Sequence, residues 1–283
     1  ERGVLFDKDK TTLIQYPIGN TATSYEIPLS VTIIGDDAFR GCSSLVSVTI
    51  PESVTSIGDD AFYGCSSLVS VTIPEGVTSI GRAAFSGCSS LTSVTIPKGV
   101  TSIGNYAFFG CSSLTSIAVD ENNAKYSSDE RGVLFNKEKT TLIQYPIGNT
   151  ATSYEIPSSV TSIGRSAFEG CSSLTSVTIP GGVTSIGSST FYNCSSLTSV
   201  TIPKGVTSIG YEAFYNCSKL KNVYYLGTEE EWKKISIDSW NTPLTNATIH
   251  YNATVLTPSV TRTADGTVYK VSAANLPVSS VVV

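Results

Sequence analysis

Apolar and polar positions along this chain recur with a period of 23 residues. The pair Ile-Pro occurs at residues 27, 50, 73 and 96, and again at 156, 179 and 202. Cysteine keeps the same spacing, at Cys42, Cys65, Cys88, Cys111, Cys171, Cys194 and Cys217. Residues 91–113 are one complete copy of the unit L-x-S-V-T-I-P-x-x-V-T-S-I-G-x-x-A-F-x-G-C-S-S. A constant period predicts one supersecondary unit per repeat, stacked on its neighbours.

Each unit contains two short strand patterns, residues 94–96 and 100–103 in the copy above. Both are rich in β-branched residues, and Pro97 ends the first because proline lacks the N–H that a ladder needs. Adjacent coils should therefore pair their strands in parallel, about 4.8 Å apart. The side chains that we expect to point inward are Leu91, Val94, Ile96, Val100, Ile103, Ala107, Phe108 and Cys111.

Two features of the turn after the second strand also recur. Gly104 and its equivalents predict either a positive φ or a close approach of two backbones. The residue before each cysteine is Gly or, at Asn193 and Asn216, Asn. Because both types tolerate the left-handed conformation, a short helical turn ending in that conformation is predicted there. The preceding phenylalanines should form one continuous column of rings inside the stack, from Phe39 to Phe214.

A larger duplication overlies the repeat, since residues 1–32 nearly match residues 130–161. The offset predicts one long variant coil at about 119–156, with extra residues relative to the regular unit. The chain then begins in the middle of another long coil, and we expect further repeats upstream.

The pattern changes after Cys217, and an end cap is predicted over 223–251. Thr228 and Glu231 have the spacing of a capping box, which predicts a short helix to about Ile235 with Trp232 over the last coil. The solenoid is thus assigned to residues 1–251. Residues 252–283 carry an Asp-Gly turn at 265–266, followed by an apolar alternation, which predicts a β-hairpin tail that begins a further β module.

This repeat resembles the BspA-like leucine-rich repeats of the Treponema pallidum type, over roughly residues 1–251. The long unit RGVLFNKEKTTLIQYP and the closing segment from Val223 are similar to the variant coil and end cap of that family. The resemblance implies a mainly β, right-handed leucine-rich-repeat solenoid. It also implies surface exposure with adhesive binding for several members, and no catalytic motif that could be transferred.

The composition and motifs of the chain argue against several classes of function. Charged residues make up 14% of the chain, the net charge is −5 and there is one histidine. Mild acidity disfavours binding to nucleic acid, which needs a basic surface. The sequence has no apolar run of 18 residues, so no membrane insertion is predicted for this segment. No nucleophile elbow and no base to activate a serine are found, so we expect neither an enzyme nor a cofactor.

The cysteines admit two interpretations. Successive Cα atoms would lie within disulfide range, but side chains that point in parallel keep the Cβ atoms too far apart. A structural ladder of buried free thiols is therefore favoured over disulfides or a metal site. Acidic pairs at residues 36–37 and 59–60 leave a cation site open as the alternative to a solvated charge patch.

Function is then expected on the exposed surface. The first strand presents an outer row of Ser and Thr, and variable positions of the turn carry aromatic residues, which interfaces favour. The binding-surface candidates are Tyr192, Tyr211, Tyr215, Tyr106, Phe109 and Tyr63. The first three fall near the end cap and rank first. The sequence favours a monomeric, extracellular or cell-surface module that binds a host or microbial protein or glycan; the alternative is a spacer that presents a downstream domain.

Overall fold

The computed structural model describes residues 3–254 and the backbone of 260–263 and 266–269. Each regular coil contributes two short strands, one to each of two parallel sheets that run along the stack. The strands of the first part are β1 (Leu5–Phe6), β2 (Thr12–Gln15), β3 (Ser24–Glu26), β4 (Ile33–Ile34), β5 (Ser47–Thr49), β6 (Ser56–Ile57), β7 (Ser70–Val71), β8 (Ser79–Ile80), β9 (Ser93–Ile96), β10 (Ser102–Ile103) and β11 (Ser116–Val119). The predicted solenoid of 23-residue coils is confirmed.

The strand order shows how regular the stacking is. One sheet has the order β1-β2-β4-β6-β8-β10 and the other β11-β9-β7-β5-β3, so alternate strands belong to opposite faces. In the second sheet Ser116 pairs with Ser93 and Val119 with Ile96, each 23 residues earlier. Only β1 and β2 pair antiparallel in these two sheets. Equivalent residues of successive coils therefore lie side by side.

The second part repeats this plan after a different start. Its elements are β12 (Tyr126–Ser128), β13 (Leu134–Asn136), β14 (Thr141–Gln144), β15 (Ser153–Glu155), β16 (Ser162–Ile163), β17 (Ser176–Thr178), β18 (Ser185–Ile186), β19 (Ser199–Ile202), β20 (Ser208–Ile209), β21 (Asn222–Tyr225), α1 (Glu229–Trp232), β22 (Ser236–Ile237), α2 (Thr242–Thr245) and β23 (Thr248–His250). The sheets are β12-β13-β14-β16, β15-β17-β19-β21-β23 and β18-β20-β22.

The phenylalanine column is interrupted, so the expectation of one continuous column was wrong. Phe39, Phe62, Phe85 and Phe108 stack with ring centroids 4.9 to 5.7 Å apart. A second column joins Phe168, Phe191 and Phe214 at 5.0 and 5.1 Å. Within residues 3–254 no ring contact joins the two columns, because the long coil inserts the antiparallel strands β12 and β13 between them. The buried core is accordingly split into two clusters.

A tyrosine begins each ring column. Tyr16 stacks on Phe39 with 5.3 Å between centroids, and Tyr145 stacks on Phe168 with 5.2 Å. Both lie 23 residues before the phenylalanine that they contact, so the spacing could have identified them. The duplicated segment thus supplies the starting ring of each column.

The turns agree with the glycine and asparagine pattern. Gly110 and its equivalents have positive φ, as do Asn193 and Asn216. The glycines that follow the second strand have a different role, since an added Cβ at Gly104 would lie 2.4 Å from the backbone nitrogen of Arg82. Of the two predicted reasons for Gly104, close backbone approach is the correct one. The sequence did not predict a further left-handed residue in each turn, such as Tyr106 with φ 63°.

All seven cysteines are buried and free. The Cys65 thiol donates to the carbonyl of Phe39 at 3.0 Å, and Cys88, Cys111, Cys194 and Cys217 make the equivalent bond at 3.1 to 3.2 Å. Burial raises the pKa of Cys42 to about 11 and that of Cys65 to about 12. The thiols therefore act as neutral donors that satisfy turn carbonyls inside the stack.

The long coil is anchored by one buried asparagine. The Asn123 side chain donates to the carbonyls of Pro97 and Val100 at 2.8 and 3.0 Å. Its Oδ1 accepts from the backbone N–H groups of Lys125 and Tyr126, both at 2.8 Å. The first two hydrogen bonds join the start of the long coil to the last regular coil of the first part, and the other two fix the turn around Asn123 itself.

The helix predicted after Cys217 is present and shorter than expected. Thr228 and Glu231 form the capping box, and α1 ends at Trp232 rather than continuing to Ile235. The Trp232 ring packs edge-on against Tyr225, with 5.2 Å between centroids. Asn241 is buried, and its Oδ1 accepts the backbone N–H of Phe214 at 2.9 Å. The cap thus replaces the acceptors that a following coil would have supplied.

Two strands of the tail are described by their backbone. β24 (Val260–Thr263) pairs antiparallel with β25 (Gly266–Tyr269), the pairing expected of a hairpin. Asp265 and the alternation beyond Tyr269 lie outside the described residues. The assignment of 252–283 as the start of a further β module stays a prediction.

Replacing Asn123 by Ala should lower the free energy of unfolding by about 3 kcal/mol, because two buried carbonyls and two N–H groups lose their partner. Urea denaturation followed by circular dichroism measures the change. Asn122→Ala is the matched control, since the Asn122 side chain is exposed and should change stability by less than about 0.5 kcal/mol. Equal losses in the two variants would contradict this role.

The thiols should be inert in the folded protein at pH 8, because buried neutral cysteine is a poor nucleophile. Titration with a disulfide reagent should modify few thiols in native protein and all seven in guanidinium. Ser93→Cys, on the exposed outer face, should add one fast-reacting thiol as a positive control. Burial raises the pKa of the Cys42 thiol to about 11 in the folded protein. The contribution of this thiol to the free energy of unfolding is therefore complete below pH 9 and declines as the pH rises from 9 towards about 11. Rapid labelling of several native cysteines would refute the ladder.

Candidate functional site

A group of surface aromatic residues lies on the turn face beside the end cap. Tyr192 and Tyr215 stack with 5.3 Å between ring centroids, and Trp240 meets Tyr215 edge-on at 5.6 Å. We call these three residues, together with Tyr211, the aromatic ridge. Trp240 is 56% exposed and Tyr211 is 40% exposed, while Tyr192 and Tyr215 are half-buried.

The repeat itself explains why Tyr192 and Tyr215 coincide. Both follow the buried phenylalanine of their coil and precede a left-handed asparagine, so they occupy equivalent positions one coil apart. The backbone N–H of Asn193 donates to the carbonyl of Tyr215 at 2.9 Å, which fixes the two turns in register. The Asn193 and Asn216 side chains are exposed and hydrogen-bonded to each other beside the rings.

Trp240 was missed by the sequence interpretation. It lies between β22 and α2, outside the repeat, and has a positive φ of 64°. No periodicity marks it, because the cap is unique in the chain. Its signal was its residue type alone: it is one of two tryptophans in the protein, and tryptophan is enriched at binding hot spots.

The other candidates contact different neighbours, although Tyr63 is as exposed as Tyr211. The Arg40 guanidinium lies 4.3 Å from the centre of the Tyr63 ring, and Arg40 also contacts Asp37 at 2.9 Å. Tyr106 and Phe109 meet edge-on at 5.8 Å, and both are half-buried. The six candidates therefore do not form one surface: three lie on the ridge, Tyr63 lies in one coil of the first part, and Tyr106 and Phe109 share another.

Three of the four paired acidic residues, Asp37, Asp59 and Asp60, contact arginine. Asp60 is buried and forms salt bridges with Arg82 at 2.7 Å and with Arg40 at 3.5 Å. Arg82 also lies 3.8 Å from Asp59. Within the part of the chain described, no group of three His, Cys, Asp or Glu residues could hold a metal ion. The acidic pairs thus belong to a surface ion-pair network.

The outer face of the first strands carries Ser or Thr at most positions, as expected, but not all of these side chains are exposed. Ser47, Ser93 and Thr95 are exposed, whereas Thr201 is fully buried, next to Tyr224 on the adjacent strand. The hydroxyl row is thus interrupted near the cap.

The single histidine belongs to the end cap. The His250 Nε2 lies 2.9 Å from Asn222 Oδ1, and its ring stacks on Tyr224 at 4.8 Å. These contacts join the closing strand β23 to β21. Among the residues described, no helix has the length and apolar character needed to cross a bilayer.

Comparison with known proteins agrees with this architecture. The family model for the BspA type leucine rich repeat region matches residues 19–130 and 148–260, in 6 copies. A leucine-rich repeat protein from Eubacterium ventriosum is 28% identical, with 85% of this chain and 71% of that chain covered and a TM-score of 0.67. The pneumococcal vaccine antigen PcpA shares the fold, at 21% identity, 86% and 72% coverage and a TM-score of 0.58.

A leucine rich cell surface protein from Faecalibacterium prausnitzii is 30% identical, over 77% of this chain and 82% of its own length, with a TM-score of 0.41. A search of curated proteins finds no match. Repeats of this kind are typically non-catalytic and serve in protein interaction. The family model covers most of the sequence, and the chain belongs to the BspA-type leucine-rich repeat family.

Proposed function

We propose that this chain is a non-catalytic binding module of a bacterial surface or secreted protein, and that it holds its partner through the aromatic ridge. The observation that carries the proposal is the contact between Tyr192, Tyr215 and Trp240, which places three aromatic side chains on one accessible surface. Rigid aromatic side chains supply much of the binding energy in interfaces, at little cost in conformational entropy.

The ridge combines apolar and polar groups in the way that recognition requires. Tyr211 and Trp240 offer exposed ring surface, and the amides of Asn193 and Asn216 lie beside it. Aromatic anchors with adjacent hydrogen-bonding groups suit an extended macromolecular surface, either a protein or a glycan of a host or another microbe. The rigid stack behind the ridge supports several contacts at once, so a monomer suffices for binding.

The cellular location that we propose rests on the family and not on the aromatic ridge. BspA-type repeats are found in surface-type bacterial proteins, which supports placement outside the cell or on its surface. Extracellular adhesion is therefore the setting in which this module would act. A spacer role remains the second candidate, favoured by the long stack that separates the first coils from the tail.

The test is a binding screen of the chain against extracellular-matrix proteins and a glycan array. Tyr215→Ala and Trp240→Ala should each weaken a detected interaction by about 5-fold to 30-fold, because a central aromatic anchor contributes roughly 1–2 kcal/mol. Surface plasmon resonance gives the affinities, and circular dichroism checks the fold.

Tyr63→Ala is the matched control, since Tyr63 occupies the same position of the repeat but lies under Arg40. It should leave the affinity unchanged. Binding that survives both ridge substitutions would move the site elsewhere, and the absence of any partner in the screen would favour the spacer.

A further inference from the structure

A cavity of about 250 Å³ opens where the two parts of the stack meet. One wall is the turn of the last regular coil of the first part, with Ile103, Tyr106 and Phe108. The opposite wall comes from the second part, with Ile143 and Arg165 among its residues. The long coil closes the neighbouring side, where Ile103 donates to the Tyr126 hydroxyl at 2.9 Å, but it leaves this corner unfilled.

Two backbone donors on the first wall lack acceptors. In the preceding coils the N–H groups of Ala83 and Phe85 donate to the carbonyls of Asn105 and Ala107, at 2.9 and 2.8 Å. The equivalent N–H groups of Tyr106 and Phe108 have no acceptor within residues 3–254. They face the direction in which a following coil would lie, which is the side of the cavity.

The end cap shows that these donors are ordinarily satisfied. At the equivalent positions of the last coil, Glu212 N–H donates to Ser239 O at 3.1 Å and Phe214 N–H to Asn241 Oδ1 at 2.9 Å. The chain therefore caps the edge at its end and leaves the same edge open at its centre. Unpaired backbone N–H groups beside a cavity call for an acceptor from outside the chain.

The rim of the cavity carries positive charge. The Arg165 side chain is exposed, and its guanidinium makes no ion pair or hydrogen bond with any described residue; burial raises the pKa of the Glu169 carboxyl, and the Arg165 charge opposes that rise. Leu134, Ile143 and Ile103 provide apolar wall on either side. The complementary ligand has an anionic acceptor at one end and an apolar body.

We propose that this cavity is a binding site for a small apolar monocarboxylate, an aryl- or alkyl-alkanoate. Its carboxylate accepts from the N–H groups of Tyr106 and Phe108 and pairs with Arg165, while its apolar group packs against Ile103 and Ile143. A cavity of about 150 Å³ holds a benzene ring, so this one admits a ring with a short chain. The site is separate from the aromatic ridge.

The probe is 3-phenylpropionate, titrated into protein labelled with ¹⁵N-phenylalanine. The amide of Phe108 should shift saturably, with a Kd on the order of 0.1 mM for a ligand of this size. The amides of Phe85 and Phe214, which already have acceptors, serve as internal controls and should not move. Saturation without a shift at Phe108 would overturn the proposal.

Four further titrations separate the contributions. The neutral analogue 3-phenylpropanamide and the variant Arg165→Gln should each weaken binding at least 10-fold. Arg82→Gln, at the same repeat position in a coil without a cavity, should leave it unchanged. Ile143→Phe should abolish binding by filling the site. Equal affinity for acid and amide, or an unchanged Kd in Arg165→Gln, would refute the site; because Arg165 is exposed, that variant should fold normally.

Discussion

Hydrogen bonding between equivalent residues of adjacent coils is the constraint on which this structure depends. A coil of 23 residues cannot satisfy its own backbone groups, so its strand donors point to the preceding coil and its turn donors to the following one. Close contact also requires glycine at Gly104, where any side chain would strike the neighbouring backbone. Adjacent regular coils therefore satisfy each other's backbone groups, and only the ends and interruptions of the stack need other hydrogen-bonding partners.

The side chains that supply these other partners distinguish this chain from an uninterrupted array of repeats. Asn241 supplies a side-chain acceptor at the end, and Asn123 anchors the long coil with both ends of its amide. An asparagine amide thus replaces the missing partners at two of the places where the regular repeat is interrupted. The corner beside Tyr106 and Phe108 is the exception, because neither asparagine nor any other described side chain reaches it.

The periodic part of the molecule was predictable from sequence, and the unique part was not. A period of 23 residues determines the register of Ser93 with Ser116 and the left-handed position of Asn193. It could not show that the ring column stops after Phe108, since strand insertion in the long coil depends on the three-dimensional path of the extra residues. The sequence did not predict the contact of Trp240 with Tyr215 for the same reason. Trp240 lies outside the repeat, so no spacing indicates where its side chain lies.

The split of the core into two clusters has a mechanical consequence. If the two ends of the stack are pulled apart, every junction between coils carries the same load, so the weakest one yields first. The junction between Phe108 and Tyr145 lacks the ring contact that joins regular coils, and it has two idle backbone donors. We expect it to part before the others and to leave two intact blocks, so that a tethered chain lengthens in one step as the long coil alone unfolds.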